Sequence, residues 1–361
     1  MISMFRKAVP VTVKRRVRPA LNVLATTSLR LFSVNRWMAS LYYFLFSRRF
    51  DREHIAVLKG RAAYYRSLRE MTDSSPILRR NIHRLEKGLI MQPRRKVFAE
   101  AFIVETVRCY NRARRRDGYS ADELRWAADV LSEYFTVVKD TATILKARQE
   151  YLGGEAESEA ATNRKARTFK PYPLSARPDT DVSFDQLATL FLRRRSVRWY
   201  KQEPVPPGQI QQAINAAALA PSACNRQPYR FIVADDPIKA SEIAECAGGT
   251  VGFAHQIPAI IVVVGDLSAY PKERDRHLIY IDSALASMQL MLAAETLGLS
   301  TCPINWPDVD SSNRKLQAIL ELPEYEQVIM LISVGYGKPS SGIAYSQKKQ
   351  NSSITQEWSE E

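Results

Sequence analysis

Ala259-Ile-Ile-Val-Val-Val264 and, beyond a short polar stretch, His277-Leu-Ile-Tyr-Ile-Asp-Ser-Ala-Leu-Ala-Ser-Met-Gln-Leu-Met-Leu-Ala-Ala-Glu-Thr-Leu297 are the two runs that decide how the second half of this chain folds. The first is a short, β-branched, strand-like run, and the second is too long for a strand and carries helical periodicity. Its apolar face, with Ile281, Leu285, Met288, Leu292 and Leu297, is wider than one small sheet can cover, so burial against a second subunit is expected. Phe231–Ala234 and Val328–Val334 read as further strands, and residues 207–219 as a helix. Ser183-Phe-Asp-Gln186 is a capping box that opens a helix through Leu187, Leu190 and Phe191.

Working upstream, residues 153–182 hold Pro171, Pro173 and Pro178 among charged and small residues, the texture of an interdomain linker. Residues 51–152 are helical in pattern. Their clearest helix starts at the capping box Ser120-Ala-Asp-Glu123, runs through Trp126, Val130, Tyr134 and Val137, and is expected to stop at Gly153-Gly154. The expected layout is a basic segment at 1–50, a helical region at 51–152, a linker at 153–182, a folded domain at 183–350 and a flexible tail at 351–361.

The formal charge of +14 is unevenly placed. Residues 1–120 carry 27 Lys and Arg against 8 Asp and Glu, while the remainder carries 25 against 30. Ten bases and no acid fall in the first 50 residues, around apolar runs such as Trp37–Phe46. Arg30 and Arg36 interrupt them short of the roughly 20 apolar residues a spanning helix needs. An interfacial helix on an anionic membrane surface fits this composition, as does a solvated or locally packed basic helix. The aromatic residues sit in the apolar runs rather than between the charges, which argues against nucleic acid as partner. A cytoplasmic protein, peripheral to the inner face of the membrane, is expected. Cys109, Cys224, Cys246 and Cys302 form no CxxC pair, so neither zinc nor a disulfide framework is indicated.

Three clusters in the second half carry chemistry. Arg193-Arg194-Arg195-Ser196-Val197-Arg198 closes a helix with guanidinium groups and a hydroxyl, a donor set that suits phosphate. In isolation it is also an ordinary basic helix end. Ala220-Pro-Ser-Ala-Cys-Asn-Arg-Gln-Pro-Tyr229 joins a helix to a strand with a stiffened, polar turn that could read the edge of a planar ring, or simply connect the two elements. Gly298-Leu-Ser-Thr-Cys-Pro-Ile-Asn-Trp306 follows the long helix, where Gly298 reads as the helix stop and the segment beyond can offer backbone amides, or form a plain strand.

Taken in order, and with Val334-Gly-Tyr-Gly337, these strings resemble the nitroreductase family of flavin mononucleotide (FMN) enzymes over somewhat under half the chain. The resemblance implies an α+β fold in two layers, with a central mixed or antiparallel sheet flanked by helices, here preceded by an all-α N-terminal region. It implies an oxidoreductase, a homodimer with FMN at the subunit interface, and NADH or NADPH as reductant for a small conjugated acceptor such as a nitroaromatic or quinone, in a ping-pong cycle. Arg194, Arg195 and Ser196 would hold the FMN phosphate together with Lys348 or Lys349, and Arg198 would face the N1/C2 carbonyl edge. Pro221, Ser222, Asn225 and Gln227 would reach the flavin of the other subunit, and a backbone amide near Pro303, Ile304 and Asn305 would approach N5. No side chain is expected to be the chemical catalyst, and no metal.

Some positions depart from the family pattern. Tyr229 stands where Trp is common, Lys348-Lys349 replace the more usual Arg, and the span between Asp266 and His277, where relatives often insert a lid, is short. Gly248-Gly-Thr-Val-Gly252 precedes an apolar strand with the wrong spacing for a dinucleotide loop. His83-Arg-Leu-Glu-Lys-Gly88 resembles a segment attached to nitroreductase-like domains in polysaccharide-associated bacterial proteins, and it also fits a helix end capped by Gly88. A flavin-binding assembly subunit without turnover, for example in bacterial polysaccharide production, is the rival reading.

Overall fold

The structure, a computed structural model, describes residues 27–70, 73–156 and 169–358. About half of the basic segment, much of the expected linker and the last three residues of the tail lie outside the described residues. The described chain falls into two compact units divided between Ile55 and Ala56.

The first unit contains helix α1 (Arg36–Leu45), capped by the Asn35 side chain, which accepts from the Trp37 and Met38 amides. None of its residues is buried; Trp37, Leu41, Phe44 and Leu45 stand in solvent, Trp37 at 74% and Phe44 at 80% exposure.

The second unit begins within α2 (Asp51–Ser67) and continues with α3 (Pro76–Leu89), α4 (Ile103–Arg114), α5 (Ala121–Val137) and α6 (Ala142–Ala156). Helices α3 to α6 enclose an apolar core that includes Leu78, Ile82, Leu85, Val107, Leu131 and Ile144, all without exposed surface. Two helix ends differ from expectation. The helix from Ser120 ends at Val137, and Gly153-Gly154 lies inside α6 rather than stopping anything. Gly88 is likewise within α3, not its cap, and a Cβ there would overlap the Phe98 ring, so close packing is what requires glycine.

Four strands follow: β1 (Tyr229–Ala234), β2 (Ala259–Asp266), β3 (Ser300–Asn305) and β4 (Glu326–Gly335), in the order β1-β2-β4-β3. Every pairing among these four strands is antiparallel. The helices are α7 (Phe184–Arg193), α8 (Pro207–Ala217), α9 (Pro237–Ala244), α10 (Leu278–Thr296) and α11 (Asp310–Ile319). Strand alternation sorts the core: Ile260, Val262 and Val264 pack with Ile243 of α9 and Leu316 of α11. Ile261 and Val263 pack with Ile210 of α8 and Leu290 of α10. Helices therefore cover both faces, giving three layers rather than two. Val57 of α2 packs with Leu267, Tyr270 and Ile279, which ties the helical region to the sheet domain.

Helix α10 ends at Gly298, whose φ of +77° suits only glycine at low cost. By length and hydropathy it could cross a membrane, yet Asp282, Ser283 and Ser287 are buried on its inner side. It is the central helix of the domain. Its outer side exposes Ile281, Leu285 and Met288 at 52%, 44% and 38%.

Candidate functional site

After α7 the chain runs out along the free edge of β3. Ser196 bridges Thr301 in parallel, and the Val197 amide donates to the Thr301 carbonyl at 3.0 Å. Further on, Tyr200 bridges Gly337, and the Lys201 amide donates to the Tyr336 carbonyl at 2.8 Å. The Gln256 side chain accepts from the Tyr200 amide at 2.8 Å and donates to the Arg198 carbonyl. Arg194, Ser196 and Arg198 are two residues apart on this extended strip, so they share one side of it. That side is the neighbourhood of Cys302: burial pushes its thiol pKa up, while Arg198, a hydrogen bond with Ser196, and Arg194 oppose the shift.

This cluster lacks its counter-charge. Arg194, Arg195 and Arg198 form no ion pair among the described residues, and Arg194 Nε is buried without a hydrogen-bond partner. An unsatisfied buried donor costs about 1–3 kcal/mol. A bound phosphate would supply acceptors and charge together, so these residues fit a phosphorylated ligand.

A second cluster is the loop from Pro221 to Pro228. Cys224, Asn225 and Gln227 all have positive φ, of 54°, 52° and 49°. Each such non-glycine residue costs about 1–2 kcal/mol and persists only where its surroundings hold it. On one side the holder is Asp282 of α10, 2% exposed, whose Oδ2 accepts from the Ser222 hydroxyl at 2.7 Å and the Ala223 amide at 2.9 Å. On the other it is Arg79 of α3. Its Nε donates to the Asn225 carbonyl at 2.9 Å and its Nη2 to Gln227 Oε1 at 2.6 Å, while Nη1 meets the buried Glu123 carboxylate at 3.0 Å. Gln227 is engaged at both ends, since its Nε2 also donates to the Ala218 carbonyl at 2.8 Å. The Asn225 carboxamide makes no hydrogen bond among the described residues and is available to a ligand.

The remaining sequence-predicted positions are placed differently. Pro303, Ile304 and Asn305 form the end of edge strand β3, with Ile304 buried and Asn305 exposed. Beyond Thr301 no described strand pairs along its outer side. Lys348 and Lys349 lie in exposed coil, and neither ammonium forms an ion pair among the described residues. Arg79, Glu123, Asp282 and Gln256 were not predicted. Asp282, an acid amid the apolar residues of α10, was the one with a signal in the sequence.

The two clusters stand apart within one chain. The Ser222 loop is tied to Asp282 near the start of α10, and Arg193, beside the cationic strip, pairs with Glu295 near its end at 2.9 Å. The thirteen residue steps from Asp282 to Glu295 span about 20 Å at the helical rise. The exposed Ile281, Leu285 and Met288 stripe lies along the same helix.

Comparison with known proteins bears on this arrangement. The model of the nitroreductase family matches residues 192–251 and 236–336. Over 159 residues the chain is 30% identical to an Archaeoglobus fulgidus protein named as an NADH dehydrogenase/NAD(P)H nitroreductase, covering 43% of this chain and 87% of that one. It is 32% identical over 165 residues to the FMN reductase [NAD(P)H] of Bacillus subtilis, covering 42% of this chain and 64% of the relative. Among solved structures, an FMN-dependent nitroreductase of Clostridium difficile superposes with a TM-score of 0.38 at 27% identity, over 44% of this chain and 91% of that one.

Proposed function

This chain belongs to the nitroreductase family of oxidoreductases, and on that premise we propose that it acts as a homodimer that holds FMN where the cationic strip of one copy meets the Ser222–Gln227 loop of the other. The observation that carries the reading is the separation of about 20 Å between the two clusters along α10, with an unpartnered apolar stripe on the same helix. A two-fold packing of α10 on α10 would bury the stripe and bring each strip to a partner loop, making two equivalent sites.

In this arrangement Arg194, Arg195 and Ser196 hold the phosphate, joined by Lys348 or Lys349 when the coil that carries them folds over it. Arg198 places a fixed cation at the pyrimidine edge of the ring, where it favours the reduced, anionic form. Pro221, Ser222, Asn225 and Gln227 belong to the partner's half of the site, with Ser222 and Gln227 shaping the loop and Asn225 making the contact. The edge of β3 at Pro303, Ile304 and Asn305 offers backbone amide to the ring. When bound, FMN supplies the hydride relay from NADH or NADPH to a small conjugated acceptor such as a nitroaromatic or quinone, in a ping-pong cycle.

Purified protein is expected to be yellow, to bleach anaerobically with NADH or NADPH, and to regain its colour with an added quinone. Bound flavin that neither nucleotide bleaches would leave the assembly-subunit reading standing instead. The dimer has its own check. Leu285→Glu with Met288→Glu places two charges on the stripe and is expected to yield monomer by light scattering and to lose FMN with it; an unchanged mass would remove α10 from the interface.

The basic N-terminal segment is proposed to lie on an anionic membrane surface through Trp37, Leu41, Phe44 and Leu45 of α1, with the enzyme on the cytoplasmic side. Full-length protein should pellet with phosphatidylserine vesicles and stay in solution after Trp37→Glu and Phe44→Glu. Equal pelleting of both forms would refute this.

A further inference from the structure

We infer that Arg79, far from the flavin motifs in sequence and part of the helical region, is a positioning residue for the flavin site: it sets the loop that presents Asn225 to the cofactor of the second copy. The inference rests on the proposed function above and adds to it a role for the helical region, which the flavin motifs do not include.

Three acceptors meet one guanidinium group. The Asn225 carbonyl and Gln227 Oε1 belong to the loop, and Glu123 Oε2 belongs to α5. The planar fork of arginine can serve three oxygens at once, where an ammonium is a single point charge on a flexible stem. Glu123 fixes the fork. Its carboxylate also accepts from the Ser74 hydroxyl at 2.6 Å, the Ser75 amide at 3.2 Å and the Tyr119 hydroxyl. The guanidinium further lies over the Trp126 ring, 5.5 Å from its centroid. Arg79 is thus held by the helical region before it touches the loop.

What it holds there is strained. Asn225 and Gln227 are two of the loop's three left-handed non-glycine residues, and the Arg79 bonds fall on these two, whereas Asp282 secures the opposite end at Ser222 and Ala223. Removing the fork frees the Asn225–Arg226 peptide to relax, and the Asn225 carboxamide turns with it. The helical region therefore acts on the flavin site through the loop's conformation, without touching the cofactor.

Arg79→Lys is the informative variant, because it keeps a cation beside Glu123 and avoids leaving that carboxylate alone in the core. Ile82→Val, which trims a fully buried side chain elsewhere on α3, controls for lost stability. The readouts are the FMN dissociation constant, the visible band and midpoint potential of the bound flavin, and the mass and melting temperature of the protein. Arg79→Lys is expected to remain a folded dimer, to bind FMN about tenfold more weakly, equivalent to about 1.4 kcal/mol, and to shift the flavin band and potential. Ile82→Val should lower the melting temperature and change none of the flavin readouts. If Arg79→Lys binds FMN as the wild type does, with the same band and potential, the inference is overturned. It is also overturned if Ile82→Val weakens binding to the same degree. Wild-type protein that takes up no FMN would instead remove the functional reading itself.

Discussion

Arg194→Ala combined with Ser196→Ala is expected to raise the FMN dissociation constant by about 100- to 1000-fold, or roughly 3–4 kcal/mol. A hydrogen bond to a charged group contributes about 1.5–3 kcal/mol, and the double substitution removes two such bonds to the phosphate, one from the guanidinium and one from the hydroxyl, so the expected loss sits at the lower end of their sum. The fold should survive. Both side chains are only partly buried, and the strip is held by backbone bonds from Val197 to Thr301 and from Lys201 to Tyr336, which neither substitution touches. Arg194 also arrives with a buried Nε that has no partner, so its removal relieves an unsatisfied donor in the unliganded protein. The melting temperature without FMN should therefore hold or rise, while added FMN loses its stabilising effect by mass action. Quenching of flavin fluorescence measures the affinity. Wild-type affinity in the double variant would mean that the phosphate lies elsewhere.

Much of this domain is legible from local pattern. Three of the four strands stand where apolar β-branched runs predict them, and the Ser183 capping box is present in full. The Gly298–Trp306 string reads as a source of backbone amides or as a plain strand, and its middle forms strand β3 with Pro303 inside it. Proline has no amide to give a ladder, yet an edge strand tolerates it when that side faces away from its neighbour, as here, where beyond Thr301 only β4 pairs with β3. The break between α5 and α6 carries no glycine or proline and is marked only by Thr141, whose hydroxyl accepts from the Ile144 amide at 3.3 Å as the cap of α6, whereas Gly153-Gly154 signalled a stop that packing overrides. The Ser120 capping box illustrates how tertiary contacts redirect a local motif. Its Ser120 hydroxyl does accept from the Glu123 amide at 3.3 Å, but the Ser120 amide donates to the Asp73 carbonyl at 2.9 Å. The Glu123 side chain, released from the cap, turns inward to Arg79. A contact from Arg79 to Asn225 spans 146 residues and leaves no periodicity to read. The chemistry-bearing strings were visible in the sequence; the separation of their anchors, Asp282 and Glu295, along α10 was not.

Glu123→Ala is expected to cost about 3–5 kcal/mol, the range for breaking a buried ion pair by removing one partner. The Glu123 side chain is 2% exposed and that of Arg79 17%, so neither charge can turn to water without moving its helix. Alanine leaves the guanidinium with no carboxylate, and leaves the Ser75 amide and the Ser74 and Tyr119 hydroxyls without their acceptor. The Tyr119 hydroxyl cannot adapt by ionising, because burial, and then the Glu123 charge, hold its pKa far above the usual range, and with the carboxylate gone burial still does. In a domain of this size the loss corresponds to a fall of about 10 °C in melting temperature. Glu123→Gln, which keeps the acceptor oxygen and drops the charge, should fall between wild type and alanine. The pair should also be non-additive: replacing Arg79 and Glu123 together by Met and Leu removes both charges, and should cost less than Glu123→Ala alone. Urea unfolding of the three variants decides the matter. A loss under about 1 kcal/mol for Glu123→Ala, the range of an exposed ion pair, would show that this carboxylate is not the anchor from which the helical region reaches the flavin loop.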